Sequence, residues 1–148
     1  MLLKKGLVKK VAILDCDHHY GDGTDNIIDK LKIKNITNYT LGKKYKKGSS
    51  PQEYLRELKA ICEKINKKYD LLIYQAGADL HIDDPLGGVL TREELMTRDR
   101  IVLETVNLPT AWNLAGGYHH EYQRTLDLHI DTLKIAIETQ NHQSLRTA

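Results

Sequence analysis

Short apolar runs alternate along the chain with longer segments in which apolar residues recur every three or four positions. The short runs predict four buried β-strands, near Val11–Leu14, Asn35–Leu41, Asp70–Tyr74 and Thr110–Leu114. The longer segments predict helices between and after the strands. Because strands and helices alternate, the pattern predicts a three-layer α/β/α domain with a mostly parallel sheet of about four strands.

Capping residues define where the predicted helices begin. Ser50–Glu53 and Thr91–Glu94 are capping boxes, and they predict helices that extend to about Lys67 and Val106. Thr24 is predicted to cap the first helix. The last helix is predicted from Glu121 to Thr139, with frayed residues after it and a buried face formed by Leu126, Ile130, Leu133 and Ile137.

Composition limits the classes of protein to which the chain can belong. With 148 residues, of which 41% are hydrophobic, it is predicted to form a single domain over residues 1–148. A formal charge of +2 does not indicate nucleic-acid binding. No apolar run approaches the roughly 20 residues of a membrane span, and no signal-peptide core is visible, so a cytoplasmic location is expected. Cys16 and Cys62 are predicted to be buried thiols.

The stretch Asp15–Gly23 follows the first predicted strand and concentrates the candidate chemistry. If the strand continues, Asp15, Asp17 and His19 share one face. Two carboxylates and an imidazole held together are costly without a cation, so this spacing favours a metal site. A hydrogen-bonded pair at the strand end, without metal, is the alternative that these residues alone leave open.

Four stretches together resemble the histone deacetylase family, which includes acetylpolyamine amidohydrolases. Asp15–Gly23 is similar to the family's first metal-binding stretch, and Ala76–Gly88 to its second metal-ligand loop. Thr97–Asp99 resembles the start of the next helix in bacterial members. Asn113–Tyr118 resembles the loop with the catalytic tyrosine. The resemblance covers nearly the whole chain and implies an arginase/deacetylase-like fold.

The resemblance also implies an active site. Asp17, His19 and Asp79 correspond to the ligands of a catalytic Zn2+, or of another divalent ion such as Fe2+. Tyr118 corresponds to the residue that hydrogen-bonds the oxyanion during hydrolysis of an N-acetyl or other acyl amide. Gly116 and Gly117 correspond to a substrate-binding turn that lets the phenol move inward.

A second cation site follows from the same resemblance. Asp15, Thr40 and Leu41, the last through its backbone carbonyl, correspond to ligands of a structural monovalent cation, for which K+ is the candidate. The family also has an aromatic residue that lines the substrate channel near residues 42–50. Tyr45 is the one candidate for that wall, which is otherwise missing.

The chain resembles only the C-terminal part of the family domain. The paired histidines that act as general base, and several strands, belong to the preceding half, so a partial domain is expected. We therefore weigh a deacetylase completed by an N-terminal-half polypeptide against an inactive interaction or metal-binding module that forms a homodimer. The expected substrate of the former is an acetylated amine or lysine, with neither nucleic acid nor membrane as a partner.

The remaining polar residues near the motifs are expected to have structural roles. His18 is predicted to face outward, and His81 and Asp84 to order their loop. His119 and His120 are predicted to be surface histidines, with replacement of the missing base as the alternative. Trp112 is predicted to lie in the core.

Overall fold

The computed structural model describes residues 1–146, and the side chains of residues 1–140. Its strands are β1 (Val11–Asp15), β2 (Ile36–Thr40), β3 (Leu71–Gly77) and β4 (Thr110–Ala115). Its α-helices are α1 (Asp22–Lys30), α2 (Pro51–Lys68), α3 (Arg92–Thr105) and α4 (Tyr122–Arg146), and a short 3-10 helix spans Leu41–Lys43. Among these residues, no helix combines the length and the apolar character that a membrane span requires.

The four strands form one parallel sheet in the order β2-β1-β3-β4. The chain crosses the sheet in one direction from β1 to β2 and in the other from β2 to β3. Since crossover connections are right-handed, α1 lies on one face, and α2 and α3 lie on the other. Helix α4 packs against α3 in the same layer. The predicted alternation of strands and helices is therefore confirmed.

The main hydrophobic core lies between the sheet and the layer of α2 and α3. Alternate residues of β3, namely Leu72, Tyr74 and Ala76, are buried against this layer, whereas Ile73 on the opposite face is 36% exposed. Both cysteines are buried and free, as predicted. The rest of the core comes mainly from the other strands and the helices, including Ala12, Leu14, Tyr54, Leu58, Ile65, Leu95 and Val102.

Helices α2 and α3 both begin where the sequence predicts capping boxes, although only the box at Thr91 is reciprocal. The Ser50 hydroxyl accepts from the Glu53 N–H at 3.3 Å, and Thr91 and Glu94 form a reciprocal box. The predicted cap at Thr24 is wrong, because α1 begins at Asp22 and Thr24 lies in its first turn. Thr97–Asp99 likewise lies within α3 and not at its start.

The predicted buried face of α4 is wrong. Its apolar stripe is exposed: Leu126 by 43%, Ile130 by 36%, Leu133 by 47% and Ile137 by 51%. The helix instead turns Asp131, Thr132 and Ile135 toward the domain. Polar contacts fix this orientation, because Arg92 donates to Asp131 at 2.6 Å. The helix also continues past Thr139 to Arg146 without a glycine or proline to end it, and residues 147–148 lie outside the described residues.

A buried ion pair joins β3, α3 and α4. Arg98 and Asp99 are adjacent in α3, and their side chains meet at 2.8 Å. Arg98 also donates to the Gly77 carbonyl at the end of β3. Asp99 accepts hydrogen bonds from Tyr74 of β3 and, at 2.6 Å, from Thr132 of α4. Each buried charge is therefore compensated by several partners.

Removing one charge of this pair should destabilise the domain strongly. Arg98→Met leaves Asp99 buried without its cation, so we expect a loss of about 3–5 kcal/mol in the free energy of unfolding. Urea denaturation followed by circular dichroism measures it. The matched control is Arg100→Met, which removes an exposed pair with Glu138 and should cost less than about 1 kcal/mol. Equal losses in the two variants would contradict this account.

Candidate metal centre

The first ligand stretch is shaped by side chains that accept hydrogen bonds from nearby backbone. Strand β1 ends at Asp15, so the expectation that a continuous strand aligns Asp15, Asp17 and His19 is wrong. Instead, the Asp17 N–H donates to Asp15 Oδ1 at 3.1 Å, and the His19 N–H donates to Asp17 Oδ1 at 2.7 Å. Each aspartate stabilises a bend two residues further on.

Asp17, His19 and Asp79 converge into one cluster. Asp79 follows β3, beside the carboxyl end of β1 in the same sheet. His19 Nδ1 lies 2.8 Å from Asp79 Oδ2 and 3.2 Å from Asp17 Oδ1. One possible ligand atom from each residue lies within 4.8 Å of the others. The structure thus brings together the three residues that the sequence predicts as metal ligands.

The electrostatics of this cluster fit a cation. Asp79 is 0% exposed, and its burial, together with the nearby Asp17 carboxylate, raises the pKa of Asp79 to about 7. A divalent ion would offset both costs. Two carboxylate oxygens and one imidazole nitrogen are a donor set typical of catalytic zinc, with room for further ligands. The residues present therefore fit the metal that the resemblance implies.

Glycines bring the tyrosine loop close to Asp79. Gly116 has φ +54°, and a Cβ at this position would lie 2.5 Å from the Asp79 carboxyl carbon. Gly117 has φ +100°. The Tyr118 ring then packs edge-on to His19, with 6.1 Å between ring centroids. Partial burial and the charges of Asp17 and Asp79 raise the pKa of Tyr118, so its hydroxyl remains a donor at neutral pH.

Asp84 connects the second metal-ligand loop to the tyrosine loop. Its Oδ2 accepts from the Tyr118 N–H at 2.8 Å, and its Oδ1 accepts from the Leu86 N–H at 2.9 Å. The predicted loop-ordering role of Asp84 is confirmed, but its link to Tyr118 was missed. Its position before Pro85 indicates a turn and gives no signal for a partner 34 residues away. His81 orders the same loop by accepting from the Asp83 N–H at 3.3 Å.

The outward orientation predicted for His18 is wrong. His18 is only 6% exposed, and its Nδ1 accepts from the Gly88 N–H at 3.3 Å. Its ring occupies the space that a side chain at Gly87 would need. Its backbone N–H also donates to Asp79 Oδ1 at 3.2 Å. Burial lowers the pKa of His18, which favours its neutral form. Its contacts with Gly88 and Asp79 support the two loops that carry the candidate ligands.

The residues predicted to hold a monovalent cation lie at the end of β1 and β2. Asp15 and Thr40 are register partners, and Thr40 Oγ1 accepts from the Gly21 N–H at 3.2 Å. Gln75, which the sequence did not single out, donates to Asp15 at 3.0 Å. Burial raises the pKa of Asp15 to about 6. The Leu41 carbonyl accepts from Lys44 and Tyr45 N–H groups, and the K+ site stays a prediction.

The centre is open to solvent on the side of Tyr118. Tyr118 is 49% exposed, and Tyr45 cannot form a channel wall because it is buried beside α2, where its hydroxyl donates to Glu57. Trp112 packs against the core, as predicted. A neighbouring cleft of about 230 Å³ is lined by residues that include His81, Asp84 and His119 but none of the three candidate ligands.

Comparison with known proteins assigns the chain to a family. The sequence profile of the histone deacetylase domain matches residues 29–133, so the chain belongs to the histone deacetylase family. That range includes Asp79 and Tyr118, whereas Asp17 and His19 precede it. The chain is 31% identical over 134 residues to a protein of Picosynechococcus sp., covering 78% of this chain and 45% of the relative.

A second curated relative is histone deacetylase 2 of Arabidopsis thaliana, which is 27% identical over 151 residues, covering 85% of this chain and 38% of that protein. The chain therefore spans less than half of the length of these two relatives.

Solved structures show the same fold. The acetylpolyamine aminohydrolase of Burkholderia pseudomallei superposes with a TM-score of 0.66 at 18% identity, covering 89% of this chain and 46% of that one. The HD domain of HDA15 gives 0.65 at 18% identity, covering 93% and 52%. The predicted arginase/deacetylase-like α/β fold is confirmed.

The 148-residue chain should bind zinc through this cluster. We expect about one zinc per chain, and about 2.7 kcal/mol of stabilisation against unfolding when free zinc exceeds Kd a hundredfold. Asp79→Asn should abolish both effects, because it removes the buried carboxylate. Asp83→Asn, an exposed change in the same loop, should leave both unaltered. Elemental analysis and thermal denaturation with added zinc provide the measurements. Equal zinc binding by both variants would exclude Asp79 as a ligand.

Proposed function

We propose that this chain contributes part of the active site of a zinc-dependent deacetylase that hydrolyses an N-acyl amide, and that the rest comes from the other half of a deacetylase domain. The observation that supports the proposal is the cluster of Asp17, His19 and Asp79 beside Tyr118, in a chain of the histone deacetylase family. The curated relatives are more than twice as long as the matched part, so the activity of the whole domain is a proposal here.

The chain's residues would divide the work of binding and orientation. Asp17, His19 and Asp79 would hold the divalent ion, which supplies a Lewis acid at the acyl carbonyl when bound. Tyr118 would donate a hydrogen bond to the carbonyl oxygen as negative charge develops there. Asp84 would keep the Tyr118 backbone in place, because it accepts the Tyr118 N–H. Gly116 lets the tyrosine loop pass close to Asp79, because a side chain at this position would collide with the Asp79 carboxyl group.

Hydrolysis also needs a base that these residues do not supply. A water oxygen bonds to the acyl carbon and gives up one proton, the C–N bond breaks, and the amine nitrogen takes a proton. His18 and His119 each accept a backbone N–H through Nδ1, from Gly88 and Glu121. Because the resemblance implies that paired histidines in the preceding half of the domain act as the base, we assign the base to that half. General-base catalysis typically contributes ~10²–10⁴ in rate, so the chain alone should be a poor catalyst.

Acetyl-lysine, acetylated polyamines and other small acyl amides are the substrate classes for this chemistry. A cytoplasmic location stays a prediction, as does the alternative function of an inactive interaction or metal-binding module. The exposed apolar stripe of α4 favours that alternative as much as it favours an incomplete enzyme, because either protein would need a partner surface. Turnover by the completed domain distinguishes the two.

The test combines this chain, loaded with zinc, with the segment of the Picosynechococcus relative that this chain does not match. Acetate release from an acetyl-lysine peptide and from an acetylated polyamine is measured. We expect hydrolysis by the mixture, and a rate about 10²–10³-fold lower with Tyr118→Phe, because the oxyanion loses one donor. The matched control is Tyr122→Phe, at a tyrosine that is 77% exposed at the start of α4.

Two results would contradict the proposal. If Tyr118→Phe and Tyr122→Phe mixtures release acetate at the same rate, Tyr118 has no role in the reaction. If a zinc-loaded complex of the two polypeptides forms and neither substrate is hydrolysed, the inactive interaction module becomes the better description of this chain.

A further inference from the structure

Helix α4 carries an exposed apolar stripe on the side opposite to the one that packs against the domain. At about 100° per residue, Leu128, Asp131, Thr132 and Ile135 occupy the side that packs against the domain. The stripe of Leu126, Ile130, Leu133 and Ile137 lies on the other side and is exposed. The solvent-facing side of a surface helix is normally polar. The composition of α4 thus indicates a second packing partner.

The outer edge of β4 is also unprotected. Within the described part of the chain, β4 pairs only with β3. The Pro109 and Ala115 carbonyls accept hydrogen bonds from the β3 side. Because successive residues of a strand alternate in direction, the N–H and C=O groups of Trp112 and Leu114 point to the free edge. No charge, proline or bulge within β4 blunts this edge, although natural sheets usually protect theirs in such ways.

The opposite edge of the sheet differs. Every residue of β2 is half-buried, and α1 packs beside it. In β4, by contrast, Ala111, Asn113 and Leu114 are exposed. On the face opposite to α2 and α3, Ile73 of β3 is exposed too, although parallel sheets are normally covered on both faces. The side of the domain formed by β4 and α4 therefore exposes apolar residues and unpaired backbone groups that a further layer would normally cover.

We infer that the free edge of β4 and the exposed stripe of α4 form one docking surface for the other half of a deacetylase domain. We call it the β4–α4 surface, comprising the outward-pointing backbone groups of Trp112 and Leu114 and the side chains of Leu126, Ile130, Leu133 and Ile137. Helix α4 lies close to both ends of β4, because Thr110 shares a cavity of about 110 Å³ with Ala136 and Thr139, and a Cβ at Gly117 would collide with the Thr125 side chain. The inference rests on the proposed function for the identity of its occupant.

Chain length favours this occupant. The chain covers 45% and 38% of two family relatives, and 46% and 52% of two solved structures with the same fold. Proteins of this fold therefore contain about as much chain again. A segment of that length can supply further strands, and the apolar side chains that would cover α4.

Strand direction further separates this occupant from a second copy of the chain. The sheet is entirely parallel, and Tyr118 follows the carboxyl end of β4. A parallel strand added to β4 would also end beside Tyr118, so the loop after it would reach the candidate metal centre. Two copies related by a twofold axis would pair their β4 strands antiparallel. The loop after the partner's strand would then lie at the wrong end of the sheet, and both centres would stay open.

The test co-expresses this chain with the unmatched segment of the Picosynechococcus relative and measures binding and amide hydrogen exchange. We expect a one-to-one complex in which the Trp112 and Leu114 amides become protected. The amides of Ala111 and Asn113 face β3 and serve as internal controls, protected in the free chain as well. Leu133→Glu should raise Kd at least about tenfold. Leu31→Glu, at a leucine that is 68% exposed after α1, should not.

The outcomes separate this inference from the proposed function, since the binding readouts need neither zinc nor turnover. A complex with protected Trp112 and Leu114 amides supports the surface even if it hydrolyses nothing. A homodimer of the chain alone that Leu133→Glu dissociates would replace the proposed occupant with a second copy. No complex, or one that Leu133→Glu and Leu31→Glu weaken equally, would overturn the surface. Circular dichroism of both variants confirms that they fold.

Discussion

The ion pair between Arg98 and Asp99 is the constraint on which the arrangement of this domain depends. A guanidinium and a carboxylate in the core must satisfy each other and bind further polar groups, because their separation from water is otherwise prohibitive. Those further groups are the Gly77 carbonyl, two residues before Asp79, and the hydroxyls of Tyr74 and Thr132. One pair thus sets the position of a candidate ligand loop, the rotation of α3, and the side of α4 that faces inward.

This constraint explains why the sequence predicts the elements better than their orientation. Capping boxes at Ser50 and Thr91 involve residues within one turn, so their outcome is local and predictable. The stripe of α4 has the spacing of a core face, yet periodicity cannot tell which of two packing partners a face meets. The side of α4 that faces the domain is set by the hydrogen bonds of Asp131 with Arg92 and of Thr132 with Asp99. These are contacts between residues that are distant in sequence.

In the candidate metal centre, too, the identities of the residues could be predicted, whereas their long-range contacts could not. Asp17, His19 and Asp79 could be named from sequence because their residue types match a family pattern, and the structure brings them together. The sequence could not show how they are held. The bends made by Asp15 and Asp17, the burial of His18 over Gly87, and the bond from the Tyr118 backbone to Asp84 depend on three-dimensional proximity. A continuous strand was the simplest expectation for Asp15 to His19, and the local hydrogen bonds replaced it.

The bare edge of β4 has a consequence for the life of the protein in a cell. A strand edge without charges is a template for unwanted pairing with other chains. The exposed apolar stripe of the neighbouring helix adds a surface that is prone to aggregation. A copy of this domain with this side uncovered would expose apolar surface of the kind on which chaperones and proteases act. Whatever covers this side removes that liability by mass action. If the β4–α4 surface is covered as we infer, the resistance of this domain to unfolding would rise with the occupancy of that surface.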